Sequence, residues 1–302
     1  MKIGVVIVTR NRLDCLKIAL DRYKNQTKQP EYVLVVDNCS TDGQTPAFLD
    51  IWEQEPAFFK KYVVHSKENT GGSGGFYLAE SEALKLDADW IWHADDDAYP
   101  DLTVLEEIEK AYNACSYREE VAAFCSSVKN VNNPEEDISS WKKLFKGLIF
   151  IKWLPANCSV DFFEVDKFMY LGVVIRKTAI QKVGATRKDL FIHEDDIEHS
   201  LRIGKTGKII AVKNAKLYHP KWEDTIDKNK LNWKYYYTVR NKILSIKFTM
   251  PLQYYFGQLV KASVRHTYHK LQKYPQNVVA MEKDAILDAK NSITGRNERY
   301  LP

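Results

Sequence analysis

Strand-like and helix-like stretches alternate through the first 125 residues, and no other property of the chain restricts its fold as much. Residues 3–9, 32–37, 62–65, 90–93 and 121–126 are short, rich in β-branched or aromatic side chains and bounded by polar turns, the pattern of strands. Between them, Leu13, Leu16, Ile18, Ala19, Leu20 and Tyr23 fall on one helix face, and Leu102, Leu105, Ile108 and Tyr112 on another. Such alternation predicts an α/β protein with a parallel sheet covered by helices. With 302 residues, 45% of them hydrophobic, the chain has apolar mass for one large domain or a domain with an appendage.

Ligands of an open α/β sheet bind in the crevice beyond the carboxyl ends of its strands. The fourth stretch, with Trp90, Ile91 and Trp92, runs directly into Asp95, Asp96 and Asp97. Hard oxygen donors so placed suit Mg²⁺ or Mn²⁺ bound together with a diphosphate; a solvated acidic turn is the plainer reading. The first stretch ends in Thr9, Arg10, Asn11 and Arg12, and the second runs from Asp37 through Gly43. An Asp there can accept from an imide N–H or a ribose hydroxyl, and Arg10 offers the planar donor fork that suits phosphate. Both segments also read as ordinary capped turns.

Asn69, Thr70, Gly71, Gly72, Ser73, Gly74 and Gly75 precede a helical pattern over 76–86. Glycines there let backbone N–H groups approach an anion at a helix N-terminus, although a flexible loop has the same composition. The run is neither a P-loop nor a dinucleotide fingerprint, because no Gly-Lys-Ser/Thr follows and it does not open the first βα unit. Residues 191–198 carry Glu194, Asp195, Asp196 and Glu198 into a helix with Leu201 and Arg202. They read either as acids complementing the helix dipole or as a source of a general base. His219 ends a strand and would be a competent imidazole ligand for Mn²⁺; His65, His93 and His199 read as structural.

Residues 127–168 lose the alternating rhythm and form an excursion from the sheet. Its apolar run over 144–154 would pack under the domain or act as a loop near a substrate. Order resumes with strands at 171–176, 209–212 and 215–219, and helices to the end. A net charge of +4 is too small to imply nucleic acid as a partner. Five cysteines without a C-x-x-C pair fit reduced thiols in a cytoplasmic compartment. The start of the chain reads as a first strand rather than a signal segment, and no apolar run approaches the ~18 residues of a membrane span.

Taken in order, VVIVTRNR, VVDNCSTDG, NTGGSGG, WIWHADDDA, FIHEDDIEHSLR, YHP and YYYTVRN resemble the inverting nucleotide-sugar glycosyltransferases of family 2 over residues 1 to about 241. The triple Asp and NTGGSGG are most similar to bacterial galactofuranosyltransferases, with rhamnosyltransferases next. The resemblance implies a single Rossmann-like nucleotide-diphosphate-sugar-binding sheet of the GT-A type over residues 1–228, with a helical C-terminal region over 229–302. It implies a nucleotide-sugar donor, UDP-galactofuranose favoured over dTDP-rhamnose, and a lipid-linked or growing glycan acceptor of cell-surface polysaccharide synthesis. Thr9, Arg10, Asn11 and Asp37 would hold the nucleoside part, with Asn69, Gly71 and Gly72 by the diphosphate or sugar and Asp96 near the ribose. Asp95, Asp97 and His219 would ligate Mn²⁺ or Mg²⁺. Asp196 would be the catalytic base, with Asp195 the fallback, in a single in-line displacement. Glu194 stands where close relatives carry an aromatic residue.

From Lys247 to Lys273 there are five Lys or Arg residues and no Asp or Glu among many apolar side chains. That is a basic amphipathic pattern suited to peripheral contact with the inner face of an anionic plasma membrane, or to packing on the domain or a second subunit. Two other function classes remain. A sugar nucleotidyltransferase would carry a Gly-rich, Arg- and Lys-containing loop in the first βα unit, and a carbohydrate-binding protein would need neither acidic cluster.

Overall fold

A computed structural model describes residues 1–221 and 232–301. The first part runs β1 (Ile3–Thr9), α1 (Leu13–Lys24), β2 (Tyr32–Asp37), α2 (Gln44–Gln54), β3 (Lys60–His65), α3 (Gly71–Ala83), β4 (Trp90–Asp95), β5 (Tyr99–Pro100) and α4 (Val104–Ala114). The middle adds β6 (Val121–Asn130), β7 (Asn133–Asp137), β8 (Lys142–Lys146), β9 (Ile151–Pro155), β10 (Phe162–Val165), β11 (Leu171–Arg176) and α5 (Lys177–Val183). Then come α6 (Asp195–Ile203), β12 (Lys208–His219), α7 (Lys234–Thr249), α8 (Leu252–Leu271) and α9 (Gln276–Lys290). The expected boundary at 228/229 lies outside the described residues.

Among the described residues, ten strands form one sheet, whose main path is β10-β12-β6-β11-β4-β1-β2-β3. β4, β1, β2 and β3 are parallel, as the alternation predicts. Central β1 is buried at every position, as apolar Ile3–Thr9 should be when helices cover both faces, whereas edge strand β3 is only half-buried. The sheet is nevertheless mixed rather than parallel. β11 lies between β4 and β6 antiparallel to both, and β10 is antiparallel to β12. The cause lies in the excursion after β6: it returns the chain to the carboxyl edge, where Leu171 pairs with Ala94, so β11 must run downward.

Residues 127–168 are less of an excursion than expected, because β6 continues to Asn130 and both β7 and β10 join the sheet. β8 and β9 form a separate hairpin: Leu144, Ile151 and Trp153 pack against Leu201, Ile246 and Tyr254, as expected of the run, while the tip stays out, with Leu148 88% exposed. Apolar clusters cover each face of the sheet, and a third joins α7, α8 and α9 to Leu190 and Phe191. All five cysteines are free. Among the described residues, no helix is long and apolar enough to cross a membrane.

Candidate active site

The parallel strands bring Thr9, Asp37, Asp95 and His219 to one edge of the sheet. Here the acidic triplet is no solvated turn: Asp96 and Asp97 are buried, at 2% and 8% exposure. Thr9 donates to Asp96 Oδ2 at 2.7 Å, so it positions a carboxylate. Arg12, rather than the Arg10 expected to meet the donor, bridges Asp96 at 3.1 Å and Asp97 at 2.5 Å. Among the described residues, Arg10 Nε is buried without a hydrogen-bond partner.

Electrostatics divide the triplet. Burial pushes Asp95 well above the usual carboxylate range, and the charges of Asp97, Asp96 and Asp195 push the same way. Burial also lifts Asp96, to about 6, although Arg12 and Thr9 oppose it. Asp97 is held at about 2, because His219 and Arg12 outweigh burial. His219 Nε2 stands 3.4 Å from Asp97 Oδ1, so a strand end and the triplet loop, 122 positions apart in number, converge. Hard carboxylate oxygens, an imidazole and unrelieved negative charge at Asp95 fit a divalent cation. Among the described residues, however, no three His, Cys, Asp or Glu side chains are grouped to enclose an ion. Other oxygen donors would have to complete its shell.

Asp37 accepts from Ser40 N at 2.9 Å and faces His65 Nδ1 at 3.0 Å. His65, expected to be structural, therefore touches the proposed nucleoside contact. Hydrogen bonds to Asp37 and Asp50 raise the His65 pKa against the opposing effect of burial. Asn11 ties the first two strand-end loops together, its Oδ1 accepting from Thr41 N at 2.7 Å and its backbone N–H donating to Ser40 Oγ. Asn69 Oδ1 accepts from Gly71 N at 3.0 Å, while Asn38 Nδ2 donates to Gly71 O at 2.8 Å.

The glycines are not a loop preceding the helix; they are its first turns, since α3 begins at Gly71 rather than near Phe76. Close packing explains most of them. A Cβ on Gly71, where φ is +71°, would fall 1.9 Å from Phe191 O, and one on Gly75 would meet Val8 Cγ1 at 2.5 Å. Gly72 alone in the run faces open space. Ser73 N donates to Phe191 O at 3.1 Å, so part of the helix N-terminus holds the loop before α6.

That loop is strained: Phe191, His193 and Glu194 all have positive φ. Its carbonyls are gathered by α7. Asn241 Nδ2 donates to the oxygens of Leu190 and Ile192, each at 2.8 Å, and lies 3.0 Å from that of His193. Arg240 Nε orients the Asn241 amide at 2.9 Å, and its Nη2 reaches Leu190 O at 3.2 Å. Arg240 is fully buried against the rings of Tyr236 and Tyr237 and, among the described residues, has no carboxylate partner. The YYYTVRN motif thus acts through Arg240 and Asn241 on the loop that delivers Asp195 and Asp196.

Burial raises the pKa of both Asp195 and Asp196; Asp196 then adds to the rise at Asp195, and Glu194 to that at Asp196. The two carboxyls face different neighbours. Asp195 is felt at Asp95, whereas Asp196 is countered by Lys167, a residue of the excursion that nothing in the sequence marked. Asp196 Oδ1 also accepts from Ile197 N at 2.7 Å. Beneath them, buried Glu80 of α3 accepts from Thr186 N at 2.6 Å and lies 2.8 Å from His93 Nε2 and 3.4 Å from His199 Nδ1. Glu80 therefore braces β4, which carries the triplet, against α6.

Residues 4–153 match the model of the family described as Glycosyl transferase family 2. A galactofuranosyltransferase, GlfT1 of Mycolicibacterium smegmatis, is 29% identical over 209 residues, 67% of this chain; the chain spans 65% of that relative's length. Among solved structures, GalNAc-T7 with UDP, GalNAc and Mn²⁺ aligns with a TM-score of 0.65 at 12% identity, covering 97% of this chain and 56% of that one. S. aureus TarS 1-349 in complex with UDP-GlcNAc aligns with a TM-score of 0.60 at 15% identity, covering 96% and 81% respectively. At such identities these structures establish the fold, the GT-A arrangement.

Proposed function

Given that residues 4–153 are a glycosyl transferase family 2 domain, we propose that the chain moves a sugar from a UDP-sugar donor to a glycan acceptor with inversion at the anomeric carbon. One observation carries this reading: the Asp97–His219 pair and Asp95 lie at the edge of the sheet where the charge of Asp195, on the first turn of α6, is also felt. A diphosphate leaving group and an acceptor base need just these two acidic groups side by side. UDP-galactofuranose is the favoured donor because the matched relative is a galactofuranosyltransferase; cell-surface polysaccharide is the favoured product class.

In this reading Arg10 and Asp37 bind the nucleoside end, and Thr9 holds Asp96 for the ribose. Asp95, Asp97 and His219 would hold Mn²⁺ or Mg²⁺, which supplies Lewis-acid stabilisation of the departing diphosphate. Asp196 takes the acceptor hydroxyl proton as that oxygen bonds to the anomeric carbon, and the bonding pair of the glycosidic phosphate oxygen leaves with UDP. The raised pKa of Asp196 suits this role, since it makes the carboxylate a better proton acceptor. Asp195 is the alternative base.

A panel of nucleotide sugars, including UDP-galactofuranose and dTDP-rhamnose, measured by thermal shift with and without Mn²⁺ tests the donor, because a ligand bound only by the folded state raises its stability. UDP-galactofuranose should give the largest metal-dependent shift. Asp196→Asn should keep that shift and lose transfer by about 10²-fold or more, the usual scale of general-base catalysis. Full turnover in Asp196→Asn would rule out the base, and stabilisation by dTDP-rhamnose alone would reassign the donor.

A further inference from the structure

The basic segment 247–273 resolves into the end of α7, a break at Met250 and Pro251, and the 20-residue α8. Its apolar residues divide between two faces. Tyr254, Tyr255, Leu259 and Ala262 are buried, joining α8 to the rest of the protein. Leu252, Phe256, Val260, Val264, Tyr268 and Leu271 point outward, each more than half exposed and Leu271 74% so. Their mostly four-residue spacing makes a continuous ridge along the helix. The polar residues Gln253 and Thr267 lie along it.

The hairpin extends the ridge. Its tip lies against α8 at Gly257, where a Cβ would fall 1.8 Å from Ile149 O, and Gln253 Nε2 donates to Leu148 O at 3.4 Å. Leu148, Ile149 and Phe150 are all exposed beside the first half of α8. Two elements distant in sequence therefore present one apolar surface. Its charge is of one sign, because residues 142–155 contain four lysines and, like 247–273, no Asp or Glu. Among the described residues, Lys146, Lys152, Lys261, Lys270 and Lys273 make no ion pair.

We propose that α8 and the β8–β9 hairpin tip form a monotopic surface that lies on an anionic lipid bilayer, with α8 in the interfacial plane over its length of about 30 Å. Charge complementarity selects this occupant over a second copy of the chain. A two-fold contact through the same surface would set lysines against lysines with no acid in either segment to pair with them. Anionic headgroups supply the missing partner, and the outward side chains enter the boundary between headgroups and acyl chains. The surface is independent of which sugar is moved.

The intact 302-residue chain should co-sediment with vesicles of phosphatidylglycerol and phosphatidylcholine, and about tenfold more weakly or worse with phosphatidylcholine alone or in high salt. Phe256→Glu with Val264→Glu, Leu148→Glu by itself, and Lys261→Glu with Lys270→Glu should each weaken that binding about tenfold. All these positions except the two lysines place apolar groups in solvent, so the variants should unfold at the wild-type temperature. Failure of the wild type to bind anionic vesicles would overturn the proposal, as would a dimer that Val264→Glu disperses without change in vesicle binding. Loss in the α8 variants with none in Leu148→Glu would overturn the joint surface. Donor-dependent thermal shifts, which do not involve this face, tell failure here apart from failure of the proposed activity.

Discussion

Glu80 illustrates what a single side chain does for this molecule. It is fully buried, and although burial alone would raise its pKa, His199, His93 and the Thr186 amide hold it at about 2. His199 is held at about 4, chiefly by burial, and its Nδ1 lies 2.6 Å from the Tyr170 hydroxyl. Both folded-state values lie below those of the unfolded chain, so the unfolded state binds protons first and stability falls as the solution is acidified. For His199 the loss runs from about pH 6.5 down to about 4; Glu80 adds to it as pH falls from the ordinary carboxylate range toward 2. His199→Gln should unfold at a lower temperature at pH 7, by the ~1–3 kcal/mol of a disturbed buried hydrogen bond. Its midpoint should also decline less steeply than the wild type's between pH 6.5 and 4. Parallel midpoint–pH curves for the two proteins would contradict this assignment.

At the scale of elements, the decisive contact is between α7 and the loop before α6. Asn241→Ala would take a donor from the part-buried carbonyls of Ile192 and His193, while Leu190 O keeps Arg240 Nη2, at roughly 1–3 kcal/mol for each group left unsatisfied. The strained loop would relax and Asp195 and Asp196 would lose their aim. We expect kcat to fall more than tenfold, with a smaller change in donor affinity, since the donor contacts sit on β1, β2 and β4. An unchanged kcat with only a lowered unfolding temperature would make Asn241 purely structural. This contact also marks the limit of what could be read from sequence. Strand ends were legible because apolar runs stop abruptly at polar residues, as Trp92 gives way to Asp95–Asp97. The direction of β11 was not, because periodicity carries no sign and the intervening excursion contains strands of its own. Arg12 and Lys167 were missed because a basic residue in a polar turn looks like any solvated one until its carboxylate partners arrive from elsewhere. The glycine run signalled close approach correctly, yet the approaching atoms at Gly71 belong to Phe191.

For the molecule as a whole, the question is whether the sheet is sufficient by itself. Every residue proposed to touch donor, cation or acceptor lies before residue 221, which makes a short catalytic domain plausible on paper. Packing argues against it. Leu190 and Phe191 belong to the same apolar cluster as Tyr236, Tyr237, Ile243, Leu244 and Val278, so removing α7, α8 and α9 strips the cover from the loop that leads into α6. The same removal takes away Arg240 and Asn241, the groups that hold three positive-φ residues in place, each of which costs of the order of 1–3 kcal/mol. Lys205, at the end of α6, loses its 2.7 Å bond to Thr249 O as well. A chain ending at Lys221 should therefore aggregate or bind an environment-sensitive dye through exposed apolar surface. Any soluble fraction should lose transfer even where a metal-dependent donor shift survives. Supplying the missing helices as a separate polypeptide should restore activity if they act by packing. A soluble, cooperatively unfolding 1–221 with wild-type kcat would instead mean that the helical layer serves only surfaces such as the α8 ridge, and that the loop before α6 holds its shape without it.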